Sequence, residues 1–283
     1  MRIINSISEI QKTIKKLKQD NNIISLVPTM GALHQGHISL IRRARKETDI
    51  VVVSIFVNPT QFGPNEDYLR YPRPFEKDKK ICAEENVDII FAPSVTEMYP
   101  DGYLTYVYVE KLSEILCGKF RPGHFRGVTT VVTKLFNIVQ PDIAYFGEKD
   151  YQQLTIIKRM TKDLNFPVKI VQCKTIREKD GLAMSSRNVY LNETERKNAN
   201  KIYSALKESK NIIMNTKIRD TNYIVNYITE KLKDIKGLKI EYIKICNPET
   251  LEEQKNRIIL PAQILVALWI GKTRLIDNIR IEK

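Results

Sequence analysis

The sequence predicts an α/β protein, a doubly wound parallel sheet over residues 1–174 followed by a smaller α+β domain over 175–283. Three observations carry this expectation. Short runs rich in β-branched residues (Ile23–Val27, Ile50–Val57, Val87–Phe91, Ile143–Phe146, Val168–Val171) are bounded by Pro, Gly, Asn or Asp. Between them lie segments of helical period, the alternation that βαβ units produce. After about residue 174 the rhythm changes, with two basic amphipathic helices and then three strands.

Element by element, Ile7, Ile10, Ile14 and Leu17 form the first helical stripe, with Ser6 and Glu9 in capping-box spacing. Ile23–Val27 is a buried strand. It feeds Pro28-Thr-Met-Gly-Ala-Leu-His-Gln-Gly-His37, and a helix over about 37–47 carries Ile38, Leu40, Ile41 and Ala44 on its apolar side. Further helices are expected over about 75–85, 127–139 and 150–163. Beyond the Asp180-Gly181 turn, helices are expected over about 193–214 and 220–235, then strands at Lys239–Ile245, Ile264–Ile270 and Arg274–Ile281. In open α/β sheets ligands bind beyond the carboxyl ends of the strands. The loops Pro28–His37, Asn58–Gly63 and Gly147–Asp150 each follow a strand and are expected to converge there.

Composition sets limits. Of 283 residues, 42% are hydrophobic and 28% charged, ordinary for a globular chain. No window approaches eighteen consecutive apolar residues, so no membrane partner is expected. The first eight residues lack the pattern of a signal peptide, which makes the cytoplasm the expected location. Four scattered cysteines (Cys82, Cys117, Cys173, Cys246) form no C-x-x-C pair and read as buried free thiols. The net charge of +13 raises nucleic acid as a partner. The surplus concentrates in 196–236, where Lys and Arg outnumber Asp and Glu by ten to four at helical spacing. Solvated helix faces are the expected reading, and no nucleic acid is expected.

The chemistry-bearing stretches follow the strands. His34-Gln35-Gly36-His37 stands at a helix mouth, where unpaired N–H groups favour phosphate. Zinc ligation and two structural histidines remain alternatives for this pair. Gln61, in Ser54-Ile-Phe-Val-Asn-Pro-Thr-Gln-Phe62, both donates and accepts, which suits a substrate with hydroxyl and carboxylate groups, the alternative being a loop Gln that is simply solvated. Phe120-Arg-Pro-Gly-His-Phe-Arg-Gly127 reads as a mobile cationic loop entering a helix. The stripe Val128, Val131, Val132 and Leu135 on that helix is either core or the lining of an apolar pocket. Gly147-Glu148-Lys149-Asp150-Tyr-Gln-Gln153 supplies a compact cation, and Met184-Ser185-Ser186-Arg187 either supplies two hydroxyls and a guanidinium suited to a triphosphate or simply starts the next helix.

These five blocks, in their order and spacing, resemble the pantothenate synthetase (pantoate–β-alanine ligase) family, within the wider H-x-G-H nucleotidyltransferases. The resemblance runs through Arg274-Leu-Ile-Asp-Asn278. It implies condensation of D-pantoate with β-alanine, using ATP and Mg²⁺, through a pantoyl-adenylate, with release of AMP and pyrophosphate. It also implies a Rossmann-like first domain, a second domain serving as a lid, and a homodimer. By the same resemblance Met30, Gly31, Ala32, Leu33, His34, Gln35, Gly36 and His37 contact ATP. Gly147, Glu148, Lys149, Asp150, Ile176, Met184, Ser185, Ser186 and Arg187 complete the nucleotide site. His37, His34 and Lys149 are the implied catalytic groups, His37 as proton donor. Gln61, Gln153, Val128, Val131 and Val132 would hold pantoate, Gln61 also β-alanine, and Asp78 is the implied metal ligand.

Overall fold

The computed structural model describes residues 1–64 and 66–282. Two compact units partition the chain. One holds Met1–Glu148 and Gln153–Lys174; the other holds Lys149–Gln152 and the residues from Thr175 onward.

The first unit is built on six parallel strands in the order β1-β4-β3-β2-β5-β6. The strands are β1 (Arg2–Ile4), β2 (Ile24–Thr29), β3 (Ile50–Ile55), β4 (Ile89–Phe91), β5 (Ile143–Gly147) and β6 (Lys169–Cys173). The connecting helices are α1 (Ile7–Gln19), α2 (Gln35–Glu47), α3 (Phe75–Glu84), the short α4 (Val95–Met98) and α5 (Cys117–Phe120), α6 (His124–Val139) and α7 (Tyr151–Asp163). Strands β2 and β3 pair residue for residue from Ile24↔Ile50 to Thr29↔Ile55, and β2 pairs β5 at Ser25↔Ile143. From β2 the chain winds outward through β3 to β4; from β5 it winds the other way to β6. The switch point therefore lies between β2 and β5, where such sheets bind ligands. Buried on both faces, the inner strands β2, β3, β4 and β5 need continuous apolar runs. Val27, Val51, Val53, Ile90 and Tyr145 supply one core layer, closed by Leu40, Ile41 and Ala44 of α2.

The second unit is a three-stranded antiparallel sheet, β7 (Leu238–Cys246), β8 (Ala262–Ile270) and β9 (Thr273–Ile281), in that order. It is packed with α8 (Glu193–Ala199), α9 (Lys201–Asn215) and α10 (Thr221–Leu232). Ile202, Leu206 and Ile213 of α9 and Ile224, Ile228 and Leu232 of α10 close on Ile264, Val266 and Leu268 of β8.

The sequence expectation differs from the structure at a few boundaries. The three-residue strand β1 is absent from it. This strand is too short to show a period and is defined by pairing with β4, Arg2↔Ile89 through Ile4↔Phe91. The single helix expected over 193–214 breaks at Asn200, which ends α8 and starts α9. Helix α6 begins at His124 and takes in part of the stretch expected to be a loop. There Arg121 pairs with Glu66 at 2.5 Å, which ties the cationic segment down.

All four cysteines are buried, and none forms a disulfide. Burial pushes the Cys82 and Cys246 thiols up to about 12, so they pack as apolar groups. Among the described residues, no helix is long and apolar enough to cross a membrane.

Candidate active site

At the switch point, β2 ends at Thr29 and the chain turns sharply before α2. Gly31 (φ +78°) and Ala32 (φ +51°) both take left-handed backbone, which costs a residue with a side chain about 1 kcal/mol. A buried carboxylate holds the turn. Asp78 of α3 is 1% exposed, and its two oxygens accept the N–H groups of Ala32 and Leu33, each at 2.8 Å. A Cβ on Gly31 would come within 2.9 Å of Asp78 Oδ2, so the approach depends on glycine. Burial raises the Asp78 pKa above the ordinary carboxylate value; the Leu33 and Ala32 amides and Lys77 oppose the rise.

The two histidines cap α2 reciprocally. His34 stands at the N-cap in extended backbone, and its Nδ1 accepts the Gly36 N–H at 3.1 Å. His37 Nδ1 accepts the His34 N–H at 3.3 Å, and the ring centroids lie 4.1 Å apart. An Nδ1 that accepts a backbone N–H carries no proton, so the neutral ring is protonated at Nε2. The pair is thus set as two Nε2–H donors at the positive end of a helix. A Cβ on Gly36 would meet His34 Nδ1 at 2.9 Å, so glycine is needed for the ring to reach over the helix end. Ile38 N–H completes the first turn onto His34 O at 3.0 Å.

The strand next to β2 delivers Gln61. After β3 the chain makes a 3-10 turn over Pro59–Gln61. The buried Asn58 fixes the Gln61 side chain, donating from Nδ2 to Gln61 Oε1 at 3.1 Å and to Gly127 O at 3.1 Å. Gln61 Nε2 approaches Met30 Sδ at 2.9 Å, which brings two of the expected site residues together. The Tyr99 phenol donates to Asn58 Oδ1 at 2.9 Å, and burial pushes its pKa up to about 12. His124 contributes from α6. Because Arg121 only donates, His124 Nε2 accepts from Arg121 Nη1 at 2.9 Å, and Nδ1–H donates to Gln61 O at 2.8 Å. A Cβ on Gly127 would fall 2.2 Å from Thr60 O, so this glycine lets α6 pack flush against the turn.

The other expected residues of this unit are placed as follows. Val128, Val131 and Val132 lie on α6 at 2%, 7% and 4% exposure, on a helix packed against the Pro59–Gln61 turn, α1 and β2. Gly147 ends β5 beside β2. Glu148 Oε1 accepts Gln172 Nε2 at 3.0 Å, and Gln153 is half-buried in the first turn of α7. The sequence reading gives no role to Asn58, Tyr99 or His124. Asn58 and His124 lie inside the quoted motifs, but only the folded contacts give them a partner.

The remaining expected residues belong to the second unit. Lys149 Nζ lies 3.7 Å from Asp150 Oδ1. Met184 N–H donates to Ile176 O at 3.0 Å, joining two of the expected nucleotide-site residues. Ser185 caps the 3-10 turn Ser186–Tyr190, its Oγ accepting the Arg187 N–H at 3.3 Å.

As a metal ligand Asp78 fits poorly, since both oxygens already hold backbone amides and the side chain is buried. Among the described residues, no group of three His, Cys, Asp or Glu side chains is arranged to hold a metal ion.

The sequence pattern of the pantoate-beta-alanine ligase family matches residues 2–280. The chain belongs to that family. Pantothenate synthetase from Thermotoga neapolitana is 55% identical over 280 residues, covering 98% of this chain and 99% of that one. The Acetivibrio thermocellus enzyme of the same name is 52% identical, with both chains fully covered. Among solved structures, pantothenate synthetase from Thermus thermophilus superposes with a TM-score of 0.94 at 44% identity, over the whole of both chains. Pantoate-beta-alanine ligase from Francisella tularensis, complexed with beta-gamma ATP and beta-alanine, gives 0.82 at 42% identity, covering 99% of this chain and 97% of that one. The Rossmann-like sheet and small antiparallel second unit are thus the family fold.

Proposed function

We propose that this chain joins D-pantoate to β-alanine through a pantoyl-adenylate, releasing AMP and pyrophosphate, with the H-x-G-H turn as the phosphate-handling centre. The observation that carries the reading is the reciprocal cap, which sets His34 and His37 as paired Nε2–H donors at the head of α2.

Pantoate's carboxylate is already ionised at neutral pH, so the first step needs no general base. One of its oxygens attacks the α-phosphorus of ATP, and pyrophosphate leaves with the electron pair of the broken P–O bond. The step requires alignment and neutralisation of charge on the phosphate oxygens. His34, His37 and the α2 terminus supply donors, and Lys149 supplies a cation. His37, the proton donor that the resemblance implies, acts in this step as an Nε2–H hydrogen-bond donor to the departing pyrophosphate, since its Nδ1 accepts the His34 N–H. Met30 to His37 contact the nucleotide, and Gly147 to Asp150, Ile176 and Met184 to Arg187 are assigned to it as well. Gln61 and Gln153 bind pantoate's polar groups, with Gln61 also facing β-alanine; Val128, Val131 and Val132 take the dimethyl end. The neutral amine of β-alanine then attacks the acyl carbon; an amide bond forms, the acyl–O bond breaks so that AMP leaves with one oxygen of the original carboxylate, and the proton shed by the amine nitrogen passes to the AMP phosphate or to water.

Mg²⁺, when bound, supplies positive charge to the phosphate oxygens. We assign it to the nucleotide, since Mg²⁺ commonly binds through substrate phosphates with few protein ligands. A homodimer in the cytoplasm completes the proposal, in keeping with four cysteines outside any disulfide.

The test omits each substrate in turn and follows pyrophosphate and AMP. Pyrophosphate and AMP formation that requires pantoate, with AMP equal to pantothenate when β-alanine is added, supports the reading. Pyrophosphate release at full rate with no amine supports instead an H-x-G-H enzyme that stops at a nucleotidyl product. ADP in place of AMP contradicts both.

A further inference from the structure

Arg274-Leu-Ile-Asp277-Asn278 on β9 carries none of the roles above, yet it places two consecutive buried polar residues in a strand. Asp277 is 4% and Asn278 7% exposed. Successive strand side chains point to opposite faces, so each is buried in different surroundings. Asn278 Oδ1 accepts Gln263 Nε2 from β8 at 2.7 Å, and Asn278 Nδ2 donates to the main-chain oxygen of Lys149 at 2.9 Å. The segment that holds Lys149 is tied again two residues on. Tyr151 OH donates to Pro248 O at 3.0 Å and takes a hydrogen bond from Arg280 at 3.2 Å. Asp277 grips Arg177 through two bonds of 2.7 and 2.9 Å. Arg177 in turn donates to Gly181 O at 3.1 Å, and its guanidinium lies 3.6 Å from the centre of the Tyr203 ring. Asp277 Oδ1 also accepts the Asn278 N–H at 2.7 Å, which links the two residues directly.

We propose that Asp277 and Asn278 are positioning residues. Asn278 holds the Lys149 main chain, and Asp277, through Arg177, holds the loop that carries Ile176 and Met184–Arg187. Adjacent residues of one strand thereby set the spacing between the Lys149 cation and the Ser185-Ser186-Arg187 group. The inference rests on the reading of both segments as nucleotide-binding. It explains why a donor amide and a buried bidentate ion pair stand side by side where two apolar residues would close the core more simply.

The test is a double-mutant cycle. Asn278→Asp keeps the size and the oxygen that accepts from Gln263, and turns the donor facing Lys149 O into a repelling oxygen. Its kcat is expected to fall by about ten- to hundred-fold, as a misplaced reacting group does. In a Lys149→Ala background the same change should cost less than about twofold, because its effect passes through Lys149. Independent effects that multiply, or wild-type turnover in a folded Asn278→Asp protein, overturn the inference. Near-normal activity of Lys149→Ala alone overturns the functional reading instead. Should Asn278→Asp not fold, Asp277→Asn probes the other arm. It is expected to raise the KM for ATP several-fold with the β-alanine KM unchanged; equal change in both, or no change, counts against the proposal.

Discussion

The carboxylate of Asp78 accepts the amide of Leu33 at 2.8 Å across 45 positions of sequence, and its second oxygen takes the amide of Ala32. This pairing shapes the turn from which His34 and His37 emerge. It also means that these two amides are held by protein, so the donors at the α2 mouth are the imidazoles and the helix terminus.

Asp78→Asn replaces one acceptor oxygen with an amide that faces a backbone donor. The expected destabilisation is about 1–3 kcal/mol, the usual cost of a buried unsatisfied donor. Its pH dependence has a definite sign. Burial raises the folded pKa above the unfolded value of about 3.9, so the folded state keeps the proton to higher pH. The stability this carboxyl contributes is fully present below the unfolded pKa and is lost as pH rises through the folded one. Thermal unfolding of both proteins from pH 3 to pH 7 should show the gap between them narrowing as pH rises. A gap that widens contradicts the assignment.

The His34–His37 cap fixes the tautomers. In ¹⁵N-labelled protein at neutral pH, both rings should show an unprotonated Nδ1 and a protonated Nε2. His37→Ala is expected to lower kcat by about 10²–10⁴-fold with the fold retained. An Nδ1–H tautomer in either ring, or near-normal turnover of the variant, removes the paired-donor account.

Gly127→Ala places a methyl 2.2 Å from Thr60 O, against main chain that can yield only by moving the turn that carries Gln61. We expect a stability loss of about 1–3 kcal/mol from overpacking. The KM for pantoate should rise more than that for ATP. Equal increases in both would indicate general loosening instead of a displaced Gln61.

The sheet and its loops are legible in the sequence because parallel strands buried on both faces must be written as apolar runs, and the motif loops follow them. Ile23–Val27 and Ile50–Val57 announce the two central strands in this way. Strand β1 is not legible, since three residues hold no period and the pairing partner lies in β4. The role of Asp78 is hidden for a similar reason. By pattern alone, between Lys77 and Lys79, it is one more charged helix residue; the resemblance marks it as a metal ligand, and only the fold brings it to Ala32 and Leu33. Lys149 reads as a cation at a strand end, but its tether to Asn278 joins positions 129 residues apart. No local pattern announces such a contact.

Isotope transfer tests the adenylate route most directly. Pantoate labelled with ¹⁸O in its carboxylate is turned over with ATP and β-alanine, and the phosphorus-containing products are weighed by mass spectrometry. The account predicts one ¹⁸O in AMP and none in pyrophosphate, because the attacking oxygen leaves with the nucleotide. Unlabelled AMP, or label in inorganic phosphate alongside ADP, would contradict it.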